Sequence, residues 1–415
     1  MRQLGYKWRL LAFLFVAFFL EQASRQVYSA TLPQIRMDFS SLGVSDVHLG
    51  LVGSVFAAVF GLSIVGSGLA ADFFGRKKVL VLGVVLYSLG VLGSGFARGI
   101  GCLLLCYGVV NALGQCCIAP SAYSLISEHH VETRSTAMSI FQSALYLGIV
   151  LSSVFAGSMA EMGAGGWRIA FWAVGAVGLA WSIALSAGLR NDMRGKADRA
   201  DGEANIRDAF GALLRKPTAI LIALAFGMFM YVGTGLRVWM TEYLMRTFDG
   251  IGLSRAAFHA VVWQNLGALV GCLATARLLD RLASKRPRLR LEMSALGFVL
   301  CIAPLVMIVR TQSLLSCCAF LGLHGVMIGV YEAAHYPAMF DCIEPRYRSA
   351  VTGLTGCVAF LIGSLAPTVI GWMSDHATIQ GGILSLAWFY LAGAVILVPA
   401  IFKYFKADYI PEGSR

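Results

Sequence analysis

Long apolar runs follow one another along this chain, broken by short polar stretches. A membrane-crossing helix needs about 20 predominantly apolar residues, so 415 residues accommodate about a dozen such spans. The chain is 58% hydrophobic and only 13% charged, with a mean hydropathy of +0.73. No soluble globular domain requires that balance.

The breaks place the spans. They are expected near 8–35, 48–71, 79–96, 102–127, 135–162 and 169–189 in the first half. In the second half they fall near 218–245, 255–282, 291–309, 314–340, 349–373 and 383–405. Between the halves lies the one long polar interruption, 190–216, which mixes bases such as Arg194 and Lys196 with acids such as Asp198 and Glu203. Its composition suits a flexible linker, with a short surface helix over Ile206–Leu214. The net charge of +11 collects in short loops. Basic loops stay on the cytoplasmic side, which puts both termini and the linker in the cytosol. No basic face or zinc-finger spacing points to nucleic acid. The ten cysteines lie mostly inside apolar runs without a CxxC pair, so they read as small packing residues, with no disulfide and no metal site. A cleaved leader is not expected, because the first run continues through Glu21 and Arg25 to Pro33.

The sharpest polar break is Gly68–Lys78, GLAADFFGRKK. Gly75 permits a tight turn, and Asp72, Arg76, Lys77 and Lys78 can clamp helix ends or acidic partners. The stretch resembles the loop between helices 2 and 3 of the major facilitator superfamily, Gly-x-x-x-Asp-(Arg/Lys)-x-Gly-(Arg/Lys)-(Arg/Lys). Gly68, Asp72, Gly75, Arg76 and Lys77 match, and Phe73 departs where a base is usual. The halves also look like repeats. Asp72 has a counterpart in Asp280, followed by Arg281, and Arg134-Ser135 has one in Arg348-Ser349. Gln115 stands five residues before Pro120 as Glu332 stands before Pro337.

Ionisable groups inside spans are costly and mark functional positions by default. Glu21 and Arg25 lie four apart on one face of span 1, where they can pair. Either they pin that helix by a buried ion pair, or Arg25 forks a substrate carboxylate while Glu21 serves as counter-ion or proton carrier. Tyr28 adds hydrogen-bonding capacity beside them. Span 10 carries His324, Tyr331, Glu332, His335 and Tyr336. His324 reads as a satisfied core histidine, whereas Glu332 and His335, three apart, can share a proton. Span 7 offers Arg237, span 8 Trp263, Gln264 and Asn265, and span 5 Gln142 and Tyr146. Amides and rings suit a polar, ring-shaped solute, and equally glue helices together.

Ser24–Pro33 is similar to the helix 1 stretch Asp-Arg-x-x-x-x-x-x-Leu-Pro of the anion:cation symporters and spinster-like transporters. The resemblance implies that Arg25 binds a substrate carboxylate. Ser24 stands where those families carry an Asp, and Gln115 where the symporters carry a coupling Glu. Proton coupling, if retained, then moves to Glu21 or to Glu332 with His335.

The expectation is an all-α membrane protein of twelve transmembrane helices in two pseudo-symmetric six-helix halves, 1–189 and 217–415, joined by the linker 190–216. It is expected to be a multi-pass protein of a bacterial cytoplasmic membrane, monomeric in the lipid bilayer, with no cofactor. No Walker A motif or catalytic domain points to an enzyme. Alternating access would carry a small organic anion, such as a uronate or sialic acid, with a proton as coupling ion. The substrate side would comprise Arg25, Tyr28, Gln115, Gln142, Tyr146, Arg237, Trp263, Gln264, Asn265 and Tyr331. Gating would fall to Asp72, Gly75, Arg76, Asp280 and Arg281. Spinster-like export of a lysolipid or other amphiphile, uniport, a membrane receptor and an intramembrane enzyme are the alternatives.

Overall fold

The computed structural model describes residues 2–130, 133–163, 165–190, 206–283, 286–344 and 347–410. All regular structure among them is helical. Twelve helices are long and apolar enough to cross a membrane: α1 (Arg2–Phe39), α2 (Asp46–Phe74), α3 (Arg76–Gly95), α4 (Ile100–His129), α5 (Arg134–Glu161), α6 (Gly166–Gly188), α7 (Pro217–Thr247), α8 (Leu253–Ala283), α9 (Leu289–Arg310), α10 (Leu314–Phe340), α11 (Ala350–His376) and α12 (Ile379–Asp408). Ile206–Leu214 forms the short linker helix. α4 is not uniform: Leu104–Asn111 winds as π-helix, a form that recurs at functional positions.

The chain forms two compact units, 1–200 with 238–261, and 201–237 with 262–415. In the first, Leu14 and Phe18 of α1 pack with Leu80, Val84 and Tyr87 of α3, Ile118 and Leu125 of α4, and Phe141 of α5. Phe18 and Phe141 stack with centroids 4.5 Å apart. Hydrocarbon tails are as apolar as leucine, so helices associate in a bilayer by close packing of small residues. Gly114 lets α4 touch α3: a Cβ there would lie 2.2 Å from the Tyr87 amide nitrogen.

Polar ends lock this unit. Gly75 ends α2 in the left-handed region at φ 94°, and its N–H donates to Ala71 at 3.1 Å. Lys77 donates to the Leu189 carbonyl at 2.6 Å, placing a cation at the C-terminal end of α6. At the opposite end Gln34 donates to the Ala160 and Gly163 carbonyls and accepts from the Trp167 N–H at 2.7 Å. Asp38 accepts from the Trp167 indole at 3.1 Å and from Arg168 at 2.5 Å.

In the second unit α8 and α10 meet backbone to backbone. A Cβ on Gly325 would lie 2.1 Å from the Gln264 carbonyl, and one on Gly329 would lie 2.3 Å from that of Ala268. Tyr331 of α10 stacks on Phe229 of α7, and Phe298 of α9 meets both rings edge-on. Asp408 caps α7 by accepting from the Thr218 N–H at 2.8 Å.

Candidate functional site

Arg25 lies midway along α1, and its side chain is 13% exposed. Its Nε donates to Gln115 Oε1 at 2.9 Å, and one terminal nitrogen donates to Glu21 Oε1 at 3.1 Å. Gln115 is held in turn, donating to Ser24 Oγ at 2.8 Å and to Asn111 Oδ1 at 3.0 Å. Phe60 and Phe56 of α2 lie under the guanidinium, with centroids 4.8 and 5.6 Å from Cζ, a cation–π arrangement. Tyr107, in the π-helical part of α4, donates to the Arg25 carbonyl at 2.8 Å and stacks on Tyr28 at 4.7 Å.

A guanidinium has five donors in a planar fork. Gln115 takes the Nε edge and Glu21 one terminal hydrogen, so the edge formed by the two terminal nitrogens keeps a hydrogen on each. That is the geometry that grips a carboxylate or sulfonate bidentately. Glu21 is buried, and its Oε2 has no hydrogen-bond partner. One buried carboxylate thus half-satisfies the arginine and is itself half-satisfied.

The second unit holds a different polar group. His335 is buried, bonded through Nδ1 to the Tyr331 hydroxyl at 3.1 Å, and packed on Phe226 at 4.4 Å. Glu332 is exposed on the adjoining face of α10, and Arg237 supplies the charge that acts on it. The expected sharing of a proton between Glu332 and His335 is therefore not formed. Positions three apart can meet, but here the ring turns to its own helix neighbour Tyr331 and the apolar core. His324 is fully buried and bonds Tyr390 at 2.9 Å, a packed core histidine.

The major facilitator superfamily model matches residues 14–367. The chain belongs to this superfamily. An "MFS-type efflux pump" of Mycolicibacterium smegmatis is 26% identical over 87% of this chain and 84% of the relative. A "Probable sulfoacetate transporter" of Cupriavidus necator is 24% identical over 95% of this chain and 93% of the relative. Among solved structures, a bacterial homolog of the human lysosomal transporter Spinster, in an inward-facing and unoccupied conformation, superposes with a TM-score of 0.87. It covers 98% of this chain and 99% of the other at 22% identity, which is a likeness of fold.

In the superfamily loop Gly75 makes the turn and Arg76 forms an ion pair with Glu128 at the end of α4. The side chains of Asp72 and Asp280 lie outside the described residues, and Arg281 is exposed on the last turn of α8. Tyr28 spends its hydroxyl on the Leu49 carbonyl at 2.7 Å. Gln142 is exposed and accepts from Tyr123 at 3.0 Å, and Tyr146 is half-buried. Arg237 and Trp263 are exposed, whereas Gln264 and Asn265 are half-buried.

Sequence reasoning missed Phe56, Phe60 and Tyr107 as neighbours of Arg25, and Asn111 as the partner of Gln115. The available signal was the spacing of Tyr107, Asn111 and Gln115, four apart and so on one face of α4. It also missed a four-charge cluster in the first unit, at the end away from the Gly68–Lys78 loop. Asp46 accepts from Arg36 at 2.9 Å and from Arg246 at 2.8 Å, and Arg246 also donates to Glu242 at 2.5 Å. Beside it, Glu161 accepts from the Ser254 N–H at 2.9 Å. These contacts tie the hairpin 238–261 to α1, α2 and α5.

Proposed function

We propose that this superfamily member is a secondary transporter of a small organic anion, with Arg25 as the anion-binding group and proton symport as the mode. The carrying observation is a guanidinium held by Gln115, Glu21 and two phenylalanine rings through only two of its five donors. A relative named for sulfoacetate supports an anionic cargo. Glu21 is the leading proton carrier. When an incoming anion takes over the guanidinium, Glu21 loses its counter-charge in a buried position and gains most from taking a proton. Glu332, facing the charge of Arg237, is the second candidate. Within the anion class a sugar acid such as a uronate or sialic acid remains the specific expectation.

The test is uptake of labelled sugar acids, sulfonates, neutral sugars and lysolipids into proteoliposomes, with and without an inward proton gradient. Gradient-stimulated uptake of an acid, insensitive to the gradient in Glu21→Gln, is the expected result. Stimulation lost in Glu332→Gln instead would move the coupling site to the second unit. Movement of lysolipids with no anion uptake would replace the proposal with amphiphile export.

A further inference from the structure

Four of the ten cysteines lie on α4, in two pairs whose sulfurs touch. Cys116 and Cys117 are neighbours in sequence and sit deep in the helix, with sulfurs 3.9 Å apart. The other pair is differently placed. Cys102 is in the first turn of α4 and exposed, and Cys106 is one turn on and half-buried. Their sulfurs are also 3.9 Å apart. Gly93 of α3 faces both. Its carbonyl oxygen lies 3.9 Å from the Cys102 sulfur, and a Cβ at Gly93 would come within 3.0 Å of the Cys106 sulfur. A glycine here leaves a notch around two thiols at the mouth of a helix, on the end of the unit opposite the Gly68–Lys78 loop.

We infer that Cys102 and Cys106 form a site for a soft, tetrahedral divalent cation of the Zn2+ and Cd2+ class. Two sulfurs held at about 2.3 Å by one tetrahedral ion stand about 3.8 Å apart. The pair is already at that separation, so chelation needs no change in the pitch of the helix. On binding, each thiol gives its proton to solvent and its sulfur an electron pair to the cation, and no electron is transferred. Among the described residues no group of three or more metal-ligating side chains forms. The ion therefore keeps two positions for water or the Gly93 carbonyl, and the site is exchangeable rather than structural.

The site bears on the rest of the unit through α4. Cys106 lies in the π-helical segment, and the next residue, Tyr107, carries the hydrogen bond to the Arg25 carbonyl. A cation that bridges Cys102 to Cys106 staples the turn from which Tyr107 departs. Thiophilic cations should act as inhibitors that never contact the anion.

The experiment titrates the detergent-purified full chain with Cd2+. It follows the ultraviolet thiolate-to-metal absorption and the thermal midpoint, which rises when a ligand binds only the folded state. One equivalent is expected to bind, with the half-saturating concentration raised about tenfold or more in both C102S and C106S. The double variant C116S/C117S should titrate like the wild type. Unchanged titration in C102S and C106S would overturn the assignment, as would loss confined to C116S/C117S or the absence of any band in the folded wild type. These readouts need no transported substrate, so they stand apart from the anion proposal. Once a cargo is known, Cd2+ should lower its uptake in the wild type and not in C102S.

Discussion

Gln115→Leu isolates what the amide does for Arg25. Leucine fills nearly the same volume at this buried position, so no large cavity is opened. Three hydrogen bonds go: one from the Arg25 Nε at 2.9 Å, and two donated to Ser24 and Asn111 at 2.8 and 3.0 Å. The first involves a charge and is worth about 1.5–3 kcal/mol. The larger consequence is geometric. Without Gln115 on its Nε edge the guanidinium is free to turn its fork onto Glu21, whose Oε2 has no partner. A bidentate Glu21–Arg25 pair would occupy the edge reserved for the anion. If binding loses the worth of that one charged bond, the dissociation constant rises about 10- to 150-fold. Isothermal titration with the transported anion in detergent measures this directly. The double variant Gln115→Leu with Glu21→Gln should recover part of the loss, because a neutral amide competes poorly for the fork. An unchanged dissociation constant in Gln115→Leu, within about twofold, would refute the reasoning. A double variant no better than the single one would show that Gln115 does not act by keeping the fork off Glu21.

Other expected outcomes are simpler. Arg25→Lys keeps the charge and loses the planar fork, so anion affinity should fall by about tenfold or more with the fold intact by thermal midpoint; wild-type affinity would remove Arg25 from the site. Asp46→Ala takes the nearest carboxylate from Arg36 and one of two from Arg246, leaving Glu242 to serve both arginines. Its thermal midpoint should drop clearly, and Asp46→Asn should drop it less; equal midpoints would deny the cluster a stabilising role. Gly329→Ala drives a methyl to 2.3 Å from the Ala268 carbonyl, so α8 and α10 must part and the folded yield should fall sharply. Burial first, then the nearby carboxylates of Asp408 and Asp341, push the Cys342 thiol up to about 12. The thiolate is the reactive form, so alkylation mapped by mass spectrometry at neutral to mildly alkaline pH should spare Cys342 in the folded protein and reach it after denaturation. Its modification in the folded state would show that this end of the second unit opens readily.

The helices were legible because hydropathy over about 20 residues is a local property and a bilayer enforces it. The turn at Gly75 was legible for a similar reason, since a positive φ and a polar break are written in adjacent residues. Helix 1 identified Arg25 and Glu21, because a charge inside an apolar run has few reasons to be there.

What Arg25 does was decided elsewhere in the chain. Its orientation comes from Gln115 on α4 and the Phe56 and Phe60 rings on α2, and no local pattern around residue 25 points to any of them. The same physics separated Glu332 from His335, which three-residue spacing allows to pair. Glu332 lies toward Arg237, while His335 is drawn into a core of Phe226 and Tyr331. The sequence by itself determined where the chain crosses the membrane and which charges had to be explained. Only the tertiary structure decided which of those charges meet, because a guanidinium or imidazole takes its direction from whichever distant helix supplies the partner at hydrogen-bonding distance.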